Sequence, residues 1–205
     1  MPMRKSLYGV HPGVAMVQKW IRELKAKTGR SLDEWLLFIE AEGPKTEAER
    51  RAWLKAKHNF GSNTAWWLAE RSFGEGHWED TPAAYLKQAE RYVKEMYAGK
   101  KAGLKPIYDK LLKLGLSIGK DVKACPCQTI VPLYRRHVIA QIKPTTLTRV
   151  DMGFALGATK VTGRLIDTGG YAKKDRITHR IPITAVGDVD ADVKRWLKVA
   201  YEMDG

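Results

Sequence analysis

Two cysteines, Cys125 and Cys127, flank Pro126 in the stretch ACPCQTIVPLYRRHVIAQIKP, with His137 downstream. Closely spaced thiols suggest a zinc or redox site, but a structural zinc site needs four ligands, often as two spaced pairs. Here one Cys-x-Cys pair stands alone, and a disulfide two residues apart would be strained. In an extended strand both thiols share one face and Pro126 takes the other, and proline suits a strand start or edge. The pair therefore reads as the entry to a sheet, with no metal expected. His11, His58, His77, His137 and His179 share no ligand or catalytic spacing and suit capping or core hydrogen bonding. Asp167-Thr168-Gly169 has the aspartic-protease triplet, but that chemistry needs a second carboxylate held against the first. There is no phosphate-binding Walker loop, nucleophile elbow or His-Glu-x-x-His zinc motif. No catalytic residue and no cofactor are expected, and the balance leans away from an enzyme.

The cations are the stronger signal. The net charge is +13 and the pI about 9.7, which favours polyanionic partners. Residues 1–78 hold 13 Lys/Arg and 9 Asp/Glu, residues 79–205 hold 23 and 14, and 87–123 alone hold 10 and 4. Arg135 and Arg136 stand at a hairpin turn. Lys143, Arg149, Arg164, Lys173, Lys174, Arg176 and Arg180 fall on neighbouring strands or loops. On a sheet with one open face they would form a positive strip for phosphates, and the glycine-rich loop over Ala155–Asp175 would add exposed N–H groups. The alternative is a solvated rim. Asn63–Arg71 reads as the second helix of a helical hairpin, or of a helix-turn-helix with Asn63, Thr64 and Arg71 towards a groove. Trp66 and Trp67, with Arg71, offer a stacking or protein-contact surface, or else close a small core.

The elements that position these residues are well punctuated. Val14, Val17, Ile21 and Leu24 recur at helical spacing and Thr28-Gly29 ends the run. Ser31 with Glu34, and Thr46 with Glu49, are capping boxes. Thr81-Pro82 opens a helix to Gly99, and a shorter one follows over about Leu104–Leu114. The period then changes to short β-branched runs: VKAC, TIVPLY, HVIAQIK, TRVDMGF and RITHRIPI, with a weak strand at Val161–Leu165. A last helix is capped by Asp188 or Asp190 and faces Val193, Trp196, Leu197 and Ala200 inward. The fold class is α+β: an N-terminal helical bundle (1–78), then helices leading into an antiparallel sheet closed by a C-terminal helix (79–205).

Both halves resemble bacterial families of unassigned function. Residues 12–74 do so through KTGRSLDEWLLFIEAEGPKTEAERRAWLKAKHNFGSNTAWWLAER. Residues 81–203 do so through PIYDKLL, VPLYRRHVIAQIKPTTLTRVDMGF, TGRL, THRIPI and WLKVAYE. The C-terminal module is similar to one found alone, beside this helical module, or appended to nuclease-like domains, and some relatives are labelled predicted transport proteins. The resemblance implies no catalytic residue, and its nuclease association adds to the case for nucleic acid.

No apolar run approaches the ~18 residues of a membrane span, and the start lacks a signal-peptide stretch. With only two cysteines, a reduced cytoplasmic setting is expected, without a membrane partner. The leading expectation is a binding protein touching nucleic-acid phosphates through a basic sheet face. A protein-contact or homo-oligomeric module built on the Trp-rich helices is the alternative. An enzyme on a phosphorylated small molecule, using the glycine-rich loop, is the third.

Overall fold

The structure, a computed structural model, describes residues 6–74 and 80–205. His77 and the division expected at residue 78 lie outside them. The chain separates into two compact units, His11–Tyr85 and Leu86–Gly205, and the N-terminal segment to Val10 belongs with the second.

The first unit contains helices α1 (Pro12–Thr28), α2 (Leu32–Glu42), α3 (Glu47–His58) and α4 (Ser62–Arg71). Its ends form where local chemistry places them. His11 Nδ1 accepts from Gly13 N–H (3.0 Å) ahead of Pro12, and Gly29 leaves α1 at φ 80°. Both capping boxes close, Ser31 with Glu34 and Thr46 with Glu49. Each supplies partners for backbone N–H groups that the helix itself cannot satisfy. The apolar stripes meet in one core containing Val17, Leu24, Trp35, Ile39, Leu54, Trp67 and Leu68. His58 packs edge-on to Trp53, with ring centroids 4.5 Å apart, and also meets Trp35 and Phe38.

Helix α5 (Pro82–Met96) crosses the division, and Thr81 Oγ1 accepts from Ala84 N–H at its start. The second unit continues with a 3-10 turn (Gly99–Leu104) and α6 (Lys105–Ser117). Six strands follow: β1 (Lys123–Ala124), β2 (Val131–Tyr134), β3 (Val138–Lys143), β4 (Val150–Phe154), β5 (Ile166–Asp167) and β6 (His179–Ile183). Helix α7 (Ala191–Glu202) ends the fold. All pairings are antiparallel, in the order β1-β2-β3-β4-β6-β5. The α+β class is therefore as read from the sequence. One strand differs. Val161–Leu165 is not a strand, because Gly163 turns the chain at φ 59° and Val161 points to solvent; the edge strand is the two-residue β5 that follows.

Register makes the sheet two-sided. Ile142, Met152 and Ile181 are cross-strand partners, as are Ala140 and Phe154, and all are fully buried. They join one core with Leu111 of α6 and Val193, Trp196, Leu197 and Ala200 of α7. Gly115 lets α6 approach the sheet: a Cβ there would lie 2.5 Å from Leu133 Cδ1. Because strand side chains alternate, the intervening residues face the other way. They form two rows, Pro132–Gln141–Gly153–Arg180–Ile166 and Lys143–Asp151–Pro182.

Candidate functional site

The face turned from the helices is built around one carboxylate. Asp151 is 8% exposed, and its Oδ2 accepts from Thr145 Oγ1 (2.8 Å). Its Oδ1 accepts from Arg180 Nη1 at 3.1 Å. Arg149 Nε lies 2.9 Å from the same Oδ1, out of line for a hydrogen bond, while its Nη2 donates to Oδ2 at 3.4 Å. One carboxylate thus orients two guanidiniums, each about a third exposed. A guanidinium has five donors, so both keep N–H groups for a further acceptor. Lys143 sits directly across from Asp151, is exposed, and has no carboxylate within salt-bridge distance among the described residues. These four side chains carry a net +2.

The remaining cations divide into separate settings. Arg135 is committed to structure: it pairs with Asp121 (2.9 Å), donates to Tyr201 O (3.0 Å) and lies over the Tyr201 ring at 4.1 Å. This contact, with Tyr201 Oη donating to the same carboxylate, holds the Asp121 pKa below its usual range. Arg164 pairs with Asp190 at 2.8 Å, beside the cap of α7. Lys173 and Lys174 are exposed on the glycine-rich loop, with Lys174 in the left-handed region at φ 60°. Arg136 projects to solvent from the β2–β3 turn, while its N–H, with that of His137, is held by Asp204 Oδ2, each at 2.9 Å. Asp204 Oδ1 accepts from His137 Nδ1 (3.0 Å) and Arg176 Nη2 (2.6 Å). Burial works to raise the Asp204 pKa; these contacts outweigh it and leave the group below its ordinary value. Arg176 is anchored again by Nε donating to Val138 O at 2.7 Å. Lys143, Arg149 and Arg180 are therefore brought together on the open face. Arg176 lines a groove with Gln141 and a neighbouring one with Lys174, and Arg135 and Arg164 are tied into separate ion pairs.

In the helical unit, Trp66 is 42% exposed. Trp67 is instead buried, edge-on to Trp20. Arg71 is also buried, over the Trp67 ring and paired with Asp80 at 2.5 Å. The groove-reading role weighed for Arg71 is thus closed by its packing, and an external stacking surface retains Trp66 alone.

Cys125 and Cys127 are not joined in a disulfide, and no cluster of three or more metal-binding side chains occurs among the described residues. Cys125 continues the β1 ladder, with its N–H donating to Pro132 O, and burial pushes its thiol up to about 12. That value leaves almost no thiolate at neutral pH. Asp167 is used locally, accepting from Gly169 N–H at 2.7 Å. His137 bonds to Asp204, and His179, buried, to Thr178 Oγ1.

Residues 93–204 match the family described as domain of unknown function DUF5655, more than half of the chain. The chain belongs to that family. Residues 16–71 match a second domain of unknown function, DUF4287. The two-module resemblance read from the sequence is therefore sound, and the whole open face lies within the DUF5655 match. No curated protein and no solved structure matches the chain.

Asp151 and Asp204 went unnoticed in the sequence. The alternation of β4 would have placed Asp151 opposite the buried Met152, but nothing local marks Asp204, whose partners are 28 to 68 residues away.

Proposed function

We propose that the DUF5655 unit binds the phosphate backbone of nucleic acid across the open face of its sheet. The observation that carries the reading is the cluster of Lys143, Arg149 and Arg180 around a single buried carboxylate, on the face turned from the helices. Charge distribution supports it. The second unit with residues 1–10 holds 25 Lys/Arg and 12 Asp/Glu, a net +13, whereas His11–Tyr85 holds 11 of each and is neutral. Guanidiniums fixed by Asp151 lose little side-chain freedom on meeting a phosphate, and their fork geometry suits its oxygens.

The test is fluorescence anisotropy of a labelled single-stranded oligonucleotide titrated at several salt concentrations. Neutralising about three phosphates gives a slope of roughly −2 in log K against log salt. Lys143→Glu with Arg180→Glu should weaken binding at least tenfold and flatten that slope. Absence of binding at low salt, or indifference to the double variant, would end the reading.

The neutral charge of the helical unit, with Leu37, Trp66 and Phe73 exposed, favours a second role there as a protein-contact module. Light scattering of the wild type and Trp66→Ala checks it; a concentration-independent monomer with no partner in a pull-down counts against it.

A further inference from the structure

Beyond Arg176 the surface opens into a groove of about 660 Å³ between the glycine-rich loop and the end of α7. Tyr171 and Met203 line it, 60% and 57% exposed. Lys174, Asp175, Arg176 and Thr178 supply its polar lining. A second groove of about 420 Å³ shares Asp175 and Arg176 and reaches Gln141, which lies in the same row as Arg180 and Ile166. The two grooves therefore connect the Gln141 side of the sheet face to the Tyr171 groove past Asp175 and Arg176.

The chemistry of this groove is mixed in a specific way. An aromatic ring and a thioether, both left open to solvent, offer a flat apolar contact. Of the cations beside them, Arg176 has a fixed side chain and Lys174 a fixed backbone. Arg176 is held at Nε and Nη2 by Val138 O and Asp204. Lys174 is held in its left-handed conformation by a turn in which Lys174 N–H donates to Tyr171 O and Asp175 N–H to Gly170 O. Non-glycine residues avoid that conformation. Here it stands where the turn carries Tyr171, Lys174 and Asp175 to the same groove. A ligand that satisfies the set has a flat ring with N–H groups for the Asp175 carboxylate and a phosphate for Lys174 and Arg176. An unpaired nucleotide has both, and a base within a duplex cannot offer its face to Tyr171.

We infer that the Tyr171–Met203 groove takes one unpaired base of a single-stranded nucleic acid whose backbone continues past Arg176 onto the open sheet face. The inference rests on the phosphate-binding reading and narrows it to single strands. Base-on-aromatic stacking is sequence-tolerant and strong enough to set this preference.

The experiment compares single-stranded and duplex oligonucleotides of equal length, by anisotropy, against wild type, Tyr171→Ala, Tyr171→Phe and the Lys143→Glu/Arg180→Glu variant. A 2-aminopurine-labelled single strand reports stacking directly. Wild type should prefer the single strand and quench 2-aminopurine. Tyr171→Ala should lose about 5- to 100-fold in single-strand affinity, abolish the quenching and keep both the salt slope and the duplex affinity. Tyr171→Phe should behave as wild type, since the ring is what stacks. Unchanged affinity and quenching in Tyr171→Ala, or equal binding of duplex and single strand, overturns the inference while leaving the phosphate-binding reading intact. Failure of wild type to bind any oligonucleotide removes that reading itself.

Discussion

Removing the Asp204 carboxylate should destabilise the C-terminal unit by about 2 kcal/mol. The side chain is 4% exposed and accepts from two backbone N–H groups, the His137 ring and Arg176. Hydrogen bonds to a charged group contribute about 1.5–3 kcal/mol each where the partner is then stranded. Here the partners are not all stranded: the side chains of His137 and Arg176 are 72% and 50% exposed, and water can replace the lost acceptor. The net is therefore nearer the cost of one such bond than the sum of four. For a unit of this size about 2 kcal/mol corresponds to a Tm loss of about 8 °C. Asp204→Asn keeps the shape but loses the charge and one acceptor oxygen, so a smaller drop is expected. The pH dependence has a fixed sign. The folded pKa of Asp204 is depressed, so its contribution is complete above the unfolded value of about 3.9 and is lost as pH falls through the folded value. Calorimetry or thermal circular dichroism at several pH values should show a constant gap between wild type and Asp204→Ala from about pH 7 down to about pH 5, narrowing in stronger acid. A variant melting within 2 °C of wild type at neutral pH, or a gap that widens in acid, would show that the Asp204 contacts do not hold the unit together as described.

Gly115→Ala should cost about 1 kcal/mol, because overpacking against the buried Leu133 outweighs alanine's helical advantage; a stability gain in urea unfolding would contradict the close approach of α6 to the sheet. Thiol labelling of the native protein near neutral pH should modify the half-buried Cys127 first and leave Cys125, buried with its thiol raised to about 12, unmodified until the protein unfolds; mass spectrometry of peptides reads the outcome, and equal labelling rates would place Cys125 at the surface.

Helix ends, the α+β class and the inward face of α7 were legible in the sequence because their causes are local. Ser31 finds Glu34, and Thr46 finds Glu49, within three residues. The spacing of Val193, Trp196, Leu197 and Ala200 is itself the helical period. Alternation in β3 and β4 likewise announces a two-sided sheet. Which cations stand together was not legible, because that depends on strand register and on carboxylates far along the chain. Asp151 gathers Arg180 from 29 residues away, and Asp204 gathers Arg176 and the β2–β3 turn. Arg135, one residue before Arg136 and alike in sequence, is instead fastened to Asp121 and Tyr201. In α4 the tertiary packing decided between neighbours: Trp66 faces out and Trp67 in, because successive helical residues point about 100° apart and only one direction meets Trp20. Composition alone determined that the chain is strongly basic. The fold decided that all of this excess lies in one unit and that three of its cations share one face of a sheet.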